Sequence, residues 1–193
     1  PRSRGLGDVY KRQPYVFGAG IWIGAIKNGQ PTLACGYDPR NGWTEFTPGP
    51  PENADDYSGG NTQAHPEDSI YFVTETTSSS LVPDWIPRDT SGGVATLPGY
   101  DLDAWCEYHD LLAERHEEGE PLGIYVRQLC AVWNDEYRNN MVFFIYEFKN
   151  VSDDTLKEVY VGIGCDMDVG YADNDLVGCD IYRSLGWTMT ATE

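Results

Sequence analysis

The sequence predicts an all-β protein, an antiparallel β-sandwich of jelly-roll or immunoglobulin-like type. Three observations carry this. Apolar residues recur mostly at every second position, the period of a half-buried strand. An Asn-Gly pair, Asn28-Gly29, separates two such runs. The stretches between runs are rich in Gly, Pro, Ser and Asp, the residues that favour turns and loops.

The first element is a hairpin. YVFGAGIWIGAIK and PTLACGYD flank Asn28-Gly29, and both residues of this pair tolerate the positive φ that a tight type I′ turn requires. Next come long irregular stretches, TPGPPENADDYSGGN, TETTSSS and VPDWIPRDTSGGVATLPGYD, which read as surface loops. DLDAWCEYHDLLAERHEEG repeats Leu102, Trp105, His109 and Leu112 at helical spacing, yet also allows a strand over 104–109 followed by a charged loop. In GIYVRQLCAVW, Ile124, Val126, Cys130 and Val132 fall on one side and Tyr125, Leu129 and Trp133 on the other. MVFFIYEFKN and LKEVYVGIGC flank SDDT, Ser152–Thr155, and read as a second hairpin. The expectation is a meander of three consecutive antiparallel strands, 122–133, 141–150 and 156–165, with Val159, Val161 and Ile163 facing a core.

Composition narrows the function. The 193-residue chain fits one domain, and its net charge of −18 repels phosphate backbones and anionic headgroups, so neither nucleic acid nor membrane insertion is expected. The longest strongly apolar run, MVFFIY, ends at Glu147, far short of the roughly 20 residues of a spanning helix. Five cysteines without a CxxC pair support neither a dense disulfide scaffold nor a zinc ribbon. A bridge between Cys165 and Cys179 stays open; it would close a loop of about fifteen residues, worth roughly 3 kcal/mol.

No GxSxG, HExxH or P-loop motif occurs, and Cys106, His109 and His116 lack the spacing of a zinc motif, so no catalytic or cofactor-binding residue is assigned. The 31 carboxylates make any single Asp/Glu pair uninformative as a glycosidase signal. Aromatics at alternating strand positions are first of all core residues, although a sugar-stacking platform is the other use of such a pattern. The segment DMDVGYADNDLVGCD concentrates charge: Asp166, Asp168, Asp173, Asp175 and Asp180 form the candidate metal site. Ca²⁺ takes about six to eight oxygens from flexible, oxygen-rich loops, and clustered carboxylates repel one another without a cation. The spacing is not that of an EF-hand, because Gly170 falls at the fifth place and Val177 where the bidentate Glu belongs. A hydrated Asp-rich turn is the competing reading.

Several segments together are similar to something known. AGIWIGAIKNGQPTLACGYD, EFTPG, PLGIYVRQLCAVW, VFFIYEFKNVSDDTLKEVYVGIGCDMDVGYADNDLVGCD and SLGW resemble a large family of secreted or surface β-proteins from environmental Gram-negative bacteria, often ending in a type IX secretion sorting domain. The resemblance implies an extracellular or cell-surface location and a multidomain parent, and carries over no enzymatic activity. It also favours the strand over the helix for 104–109. PRSRGLGDVYKRQ, residues 1–13, resembles a translated sequencing adapter, so residues 14–193 are expected to be a single sandwich domain, truncated at both ends. The expected function is a non-catalytic structural, adhesion or binding module stabilised by Ca²⁺. Its expected partners are other domains of the same parent chain, a glycan or a cell-surface protein. The alternative is a fragment of an extracellular hydrolase acting on polysaccharide.

Overall fold

The structure, a computed structural model, describes residues 7–8, 13–54, 68–73, 102–117, 119–169 and 172–191. Among the described residues the regular elements are twelve strands and short 3-10 turns, and the strand pairs are antiparallel. β1 (Gly7–Asp8) and β2 (Gln13–Pro14) form a two-residue ladder. β3 (Val16–Lys27) and β4 (Gln30–Cys35) make the expected hairpin, with Asn28 at φ 52° and Gly29 at φ 79°. β5 (Thr47–Pro48) and β6 (Tyr71–Val73) both pair with one edge of β7 (Leu102–His109). β8 (Ile124–Val132), β9 (Val142–Asn150), β10 (Lys157–Met167), β11 (Asp175–Asp180) and β12 (Leu185–Thr190) follow.

Two sheets form the body. One has the order β10-β3-β4, and the other β5-β7-β8-β9 with β6 also on β7. They meet through a core of Ile21, Ile23, Ala25 and Ala34 from the first sheet and Ile124 and Val126 from the second, with Phe46 and Leu122 between. β8 is buried on both faces, since Tyr125, Leu129 and Ala131 are buried on its other side. The alternation in 124–133 therefore marks a central strand with two apolar faces. Residues 104–109 are strand, as the resemblance suggested. Of the three expected loops, only 47–54 and part of the approach to β6 are described; 74–80 and 82–101 lie outside the described residues.

The expected meander needs correction. It exists one strand earlier, as β7-β8-β9, and β10 does not pair with β9 but crosses to β3 in the other sheet. The SDDT segment is consequently an arch between sheets. Its physical cause is a set of backbone and side-chain ties that a two-residue turn would lack. Val151 N donates to Gly123 O (2.8 Å), Asn150 Nδ2 to Asp154 O (2.8 Å), and Ser152 N to Asn150 Oδ1 (3.0 Å). Lys27, at the end of β3, donates to Pro121 O (2.6 Å) and stands 3.6 Å from Asp154 Oδ2, drawing the arch toward β3. Gly123 is required here, because it sits at φ 84° and an added Cβ would lie 2.5 Å from Ser152 Cβ.

Val159, Val161 and Ile163 were expected to face a core; instead they are exposed, at 50%, 50% and 57%. The alternation itself is right for two of them. Val161 pairs with Ile23 and Ile163 with Ile21, so both lie on the inward face of their sheet. β10 is an edge strand, however, and the facing edge strand β9 does not close over it. Val159 falls within a bulge, where the register shifts between Lys157 and Tyr160 and Glu158 takes φ 48°.

The loop from β7 to β8 is fixed by Asp110, which is fully buried. Its carboxylate accepts from the backbone N–H of Leu122 (2.8 Å), Gly123 (3.0 Å) and Ile124 (2.5 Å). Burial pushes this carboxyl above its ordinary range, opposed by the three N–H donors. His116 Nε2 donates to Asp110 O (2.9 Å), and its Nδ1 stands 3.6 Å from Glu45 Oε2, which accepts from Cys35 N of β4 (2.7 Å). Asp110 thus links β8 to the other sheet. Asp110→Asn replaces an acceptor by a donor against buried N–H groups and is expected to lower the unfolding free energy by about 2–4 kcal/mol in urea melts. Exposed Asp153→Asn in the same experiment is expected to change it little.

Candidate functional site

The five candidate aspartates occupy three settings. Asp166 pairs with Gly18 near the end of the β10 ladder, and its Oδ2 accepts from Tyr37 Oη (3.0 Å). Asp168 follows, its N–H bonded to Tyr15 O (3.0 Å). Asp173 is exposed in a 3-10 turn, Ala172–Asn174, and Asp175 begins β11. Asp175 Oδ2 accepts from Val169 N (2.8 Å), whereas its buried Oδ1 has no partner among the described residues. Asp180 is set apart at the far end of β11, about 17 Å of strand from Asp175. There it accepts from Tyr182 N (3.0 Å) and pairs with Arg183 (2.5 Å).

The segment read as one acidic turn is therefore half turn and half strand. Its apolar positions Leu176 and Val177 belong to a hairpin in which Gly178 pairs with Trp187. Among the described residues, no three His, Cys, Asp or Glu side chains converge closely enough to hold a metal ion. Cys165 and Cys179 are free thiols. Cys106 and His109 point to opposite faces of β7, as their odd separation in a strand dictates.

A second feature was not anticipated from the sequence. Between the sheets a cleft of about 1050 Å³ opens, walled by Ile21, Phe46, Tyr108, Phe144, Tyr146 and Ile163. On β9, Phe144, Tyr146 and Phe148 stack in a row, with centroids 6.2 and 6.0 Å apart. Asp68, Glu107 and Arg115 also line the cleft, and its thiols and phenols are chemically quiet. Tyr108 Oη donates to Gln128 Oε1 (2.9 Å), and burial raises the Tyr108 phenol far above its ordinary value. Burial likewise pushes the Cys106 thiol up to about 11 and raises Tyr146 and Cys165. All four stay protonated near neutral pH.

No family model, curated protein or solved structure matches the chain. Among the described residues, no helix is long and apolar enough to cross a membrane.

His109, at the end of β7, is fully buried; its Nδ1 accepts from Leu111 N (3.2 Å), and its Nε2 has no partner among the described residues. Burial, partly offset by Asp68, depresses its pKa from 6.5 to about 4. Below about pH 6.5 the unfolded chain takes up a proton that the folded chain refuses, so His109 costs stability progressively as pH falls toward 4, by about 1.4 kcal/mol per pH unit at most. His109→Asn keeps an acceptor at the Nδ1 position, and denaturant melts from pH 7 to 4 are expected to show a shallower decline for this variant than for the parent.

Proposed function

We propose that the chain is a non-catalytic structural, adhesion or binding module of a secreted or cell-surface protein, built on a sandwich of the jelly-roll or immunoglobulin-like kind. The sheet-to-sheet arch between β9 and β10 supports that fold type, because such crossovers characterise Greek-key sandwiches. The observation that carries the function is the inter-sheet cleft. Its walls are mostly apolar, with Asp68, Glu107 and Arg115 among them, its thiols and phenols are held in their protonated forms, and its Tyr108 hydroxyl is bonded to Gln128. Such a surface favours packing over bond making. The exposed apolar residues of β9 and β10 extend it, which suits contact with other domains of a parent chain.

Calcium belongs to this proposal as a stabiliser of the turn between β10 and β11. Support comes from Asp175, whose buried Oδ1 lacks a partner among the described residues, with Asp168 and Asp173 nearby in sequence; Asp180, engaged by Arg183, is left out. Titrating Ca²⁺ into metal-free protein is expected to raise the melting temperature, by about 2.7 kcal/mol of stability at a hundredfold excess over Kd. Asp175→Ala is expected to remove that response, and a flat titration of the parent would discard calcium.

The module reading is tested by incubating the protein with a panel of plant, algal and fungal polysaccharides and following new reducing ends. No product is expected; sustained turnover of any polymer would overturn the reading in favour of a polysaccharide hydrolase.

A further inference from the structure

The outward face of the β10-β3-β4 sheet differs from its inward face in a specific way. Even-numbered positions of β3 point outward, and four of the first five are Gly18, Gly20, Trp22 and Gly24. Across the ladder, Gly18 pairs with Asp166, Gly20 with Gly164, Trp22 with Gly162, and Gly24 with Tyr160. Aromatic rings lie down on this glycine floor. A Cβ at Gly18 would come within 2.2 Å of Tyr37 Cζ, and one at Gly164 within 2.9 Å of Trp22 Nε1. The rings are pinned, since Trp22 Nε1 donates to Tyr37 O (2.9 Å) and Tyr37 Oη to Asp166 Oδ2 (3.0 Å).

Trp22 and Tyr160 are diagonal neighbours, with bare glycine at the two other corners of the square. Both are exposed, Tyr160 at 73%. The Gly162 corner is open, since an added Cβ there would meet nothing within 4 Å. From Tyr160 to Asp166 the face runs about 20 Å. Its far end carries Asp166 and Asp168, both acting electrostatically on Tyr37, while the neighbouring Asp38 is paired with Arg40.

We propose that this face is a binding platform for an extended β-linked glycan without acidic groups. Trp22 and Tyr160 stack on the apolar C–H faces of sugar rings, and Asp166 accepts from hydroxyl or amino-sugar N–H donors at one end. Three features fit a glycan. The Trp22 ring, held over Gly164 by its bond to Tyr37 O, offers a negative π face to polarised C–H groups and, fixed before binding, loses little entropy on contact, with exposed Tyr160 as the second ring. The floor admits a ribbon-like chain close to the backbone. The charge decides among polymers: with a net charge of −18 and the Asp166 and Asp168 carboxylates at one end, polyanions are repelled, whereas neutral or amino-sugar chains are not. This inference rests on the module reading and names its ligand class.

Isothermal titration with cellohexaose, laminarihexaose, chitohexaose and glucosamine hexamer, with polygalacturonate as the anionic comparison, tests it. Binding of at least one uncharged or amino-sugar oligomer is expected, and none of polygalacturonate. Tyr160→Ala is expected to weaken binding by about tenfold, and Gly162→Val to abolish it by occupying the open corner, both with an unchanged melting temperature. Binding that survives both substitutions would overturn the platform while leaving a binding module elsewhere on the chain. No binding to any oligomer would overturn the platform and leave the module reading to protein partners. Chromatography of the same mixtures separates the two proposals further: cleavage that is lost in Tyr160→Ala would support the platform and overturn the non-catalytic reading.

Discussion

The Asp110 carboxylate is the constraint on which the two-layer arrangement depends. Three consecutive N–H groups at the entry to β8 have no strand partner of their own, and one side chain satisfies them all. That fixes where β8 begins, hence its register with β7 and β9, hence which of its residues meet Ile21 and Ile23. Because His116 and Glu45 continue the same network to Cys35, the position of β8 is also tied to the opposite sheet. A buried carboxylate is an expensive way to hold a loop unless every donor is aligned. Here the short chain between Asp110 and Leu122 delivers that alignment.

Strand existence and facing were largely legible in the sequence, because a period of two is a local property. The Asn28-Gly29 turn and the inward phase of Val161 and Ile163 follow from neighbours in the chain, whereas 104–109 fitted helix and strand alike. Sheet membership was not legible. Whether two consecutive strands pair or part is decided by contacts such as Lys27 to Pro121 and Val151 to Gly123, made by residues remote in sequence. Burial failed for the same reason, since Val161 has the correct phase and an uncovered position.

The acidic segment shows a related limit. Counting carboxylates over fifteen residues treats the chain as if it were coiled into one turn, yet β11 carries Asp180 away from the others at about 3.3 Å per residue. Asp110, by contrast, sits in an ordinary-looking stretch, DLLAERHEEG, and nothing in its neighbours announces three buried N–H partners. The glycines of β3 and β10 were visible, but their meaning comes only when Trp22 and Tyr37 are seen lying over them.

The bulge at Glu158 and Val159 has a consequence for how this architecture tolerates change. The ladder from Tyr160 onward is held by β3, while the arch before Lys157 is held by Asn150, Ser152 and Lys27. The bulge absorbs the one residue by which these two demands disagree. It therefore acts as slack in the chain: the arch is free to gain or lose length on one side, while the phase that sends Tyr160 outward and Val161 inward is preserved on the other.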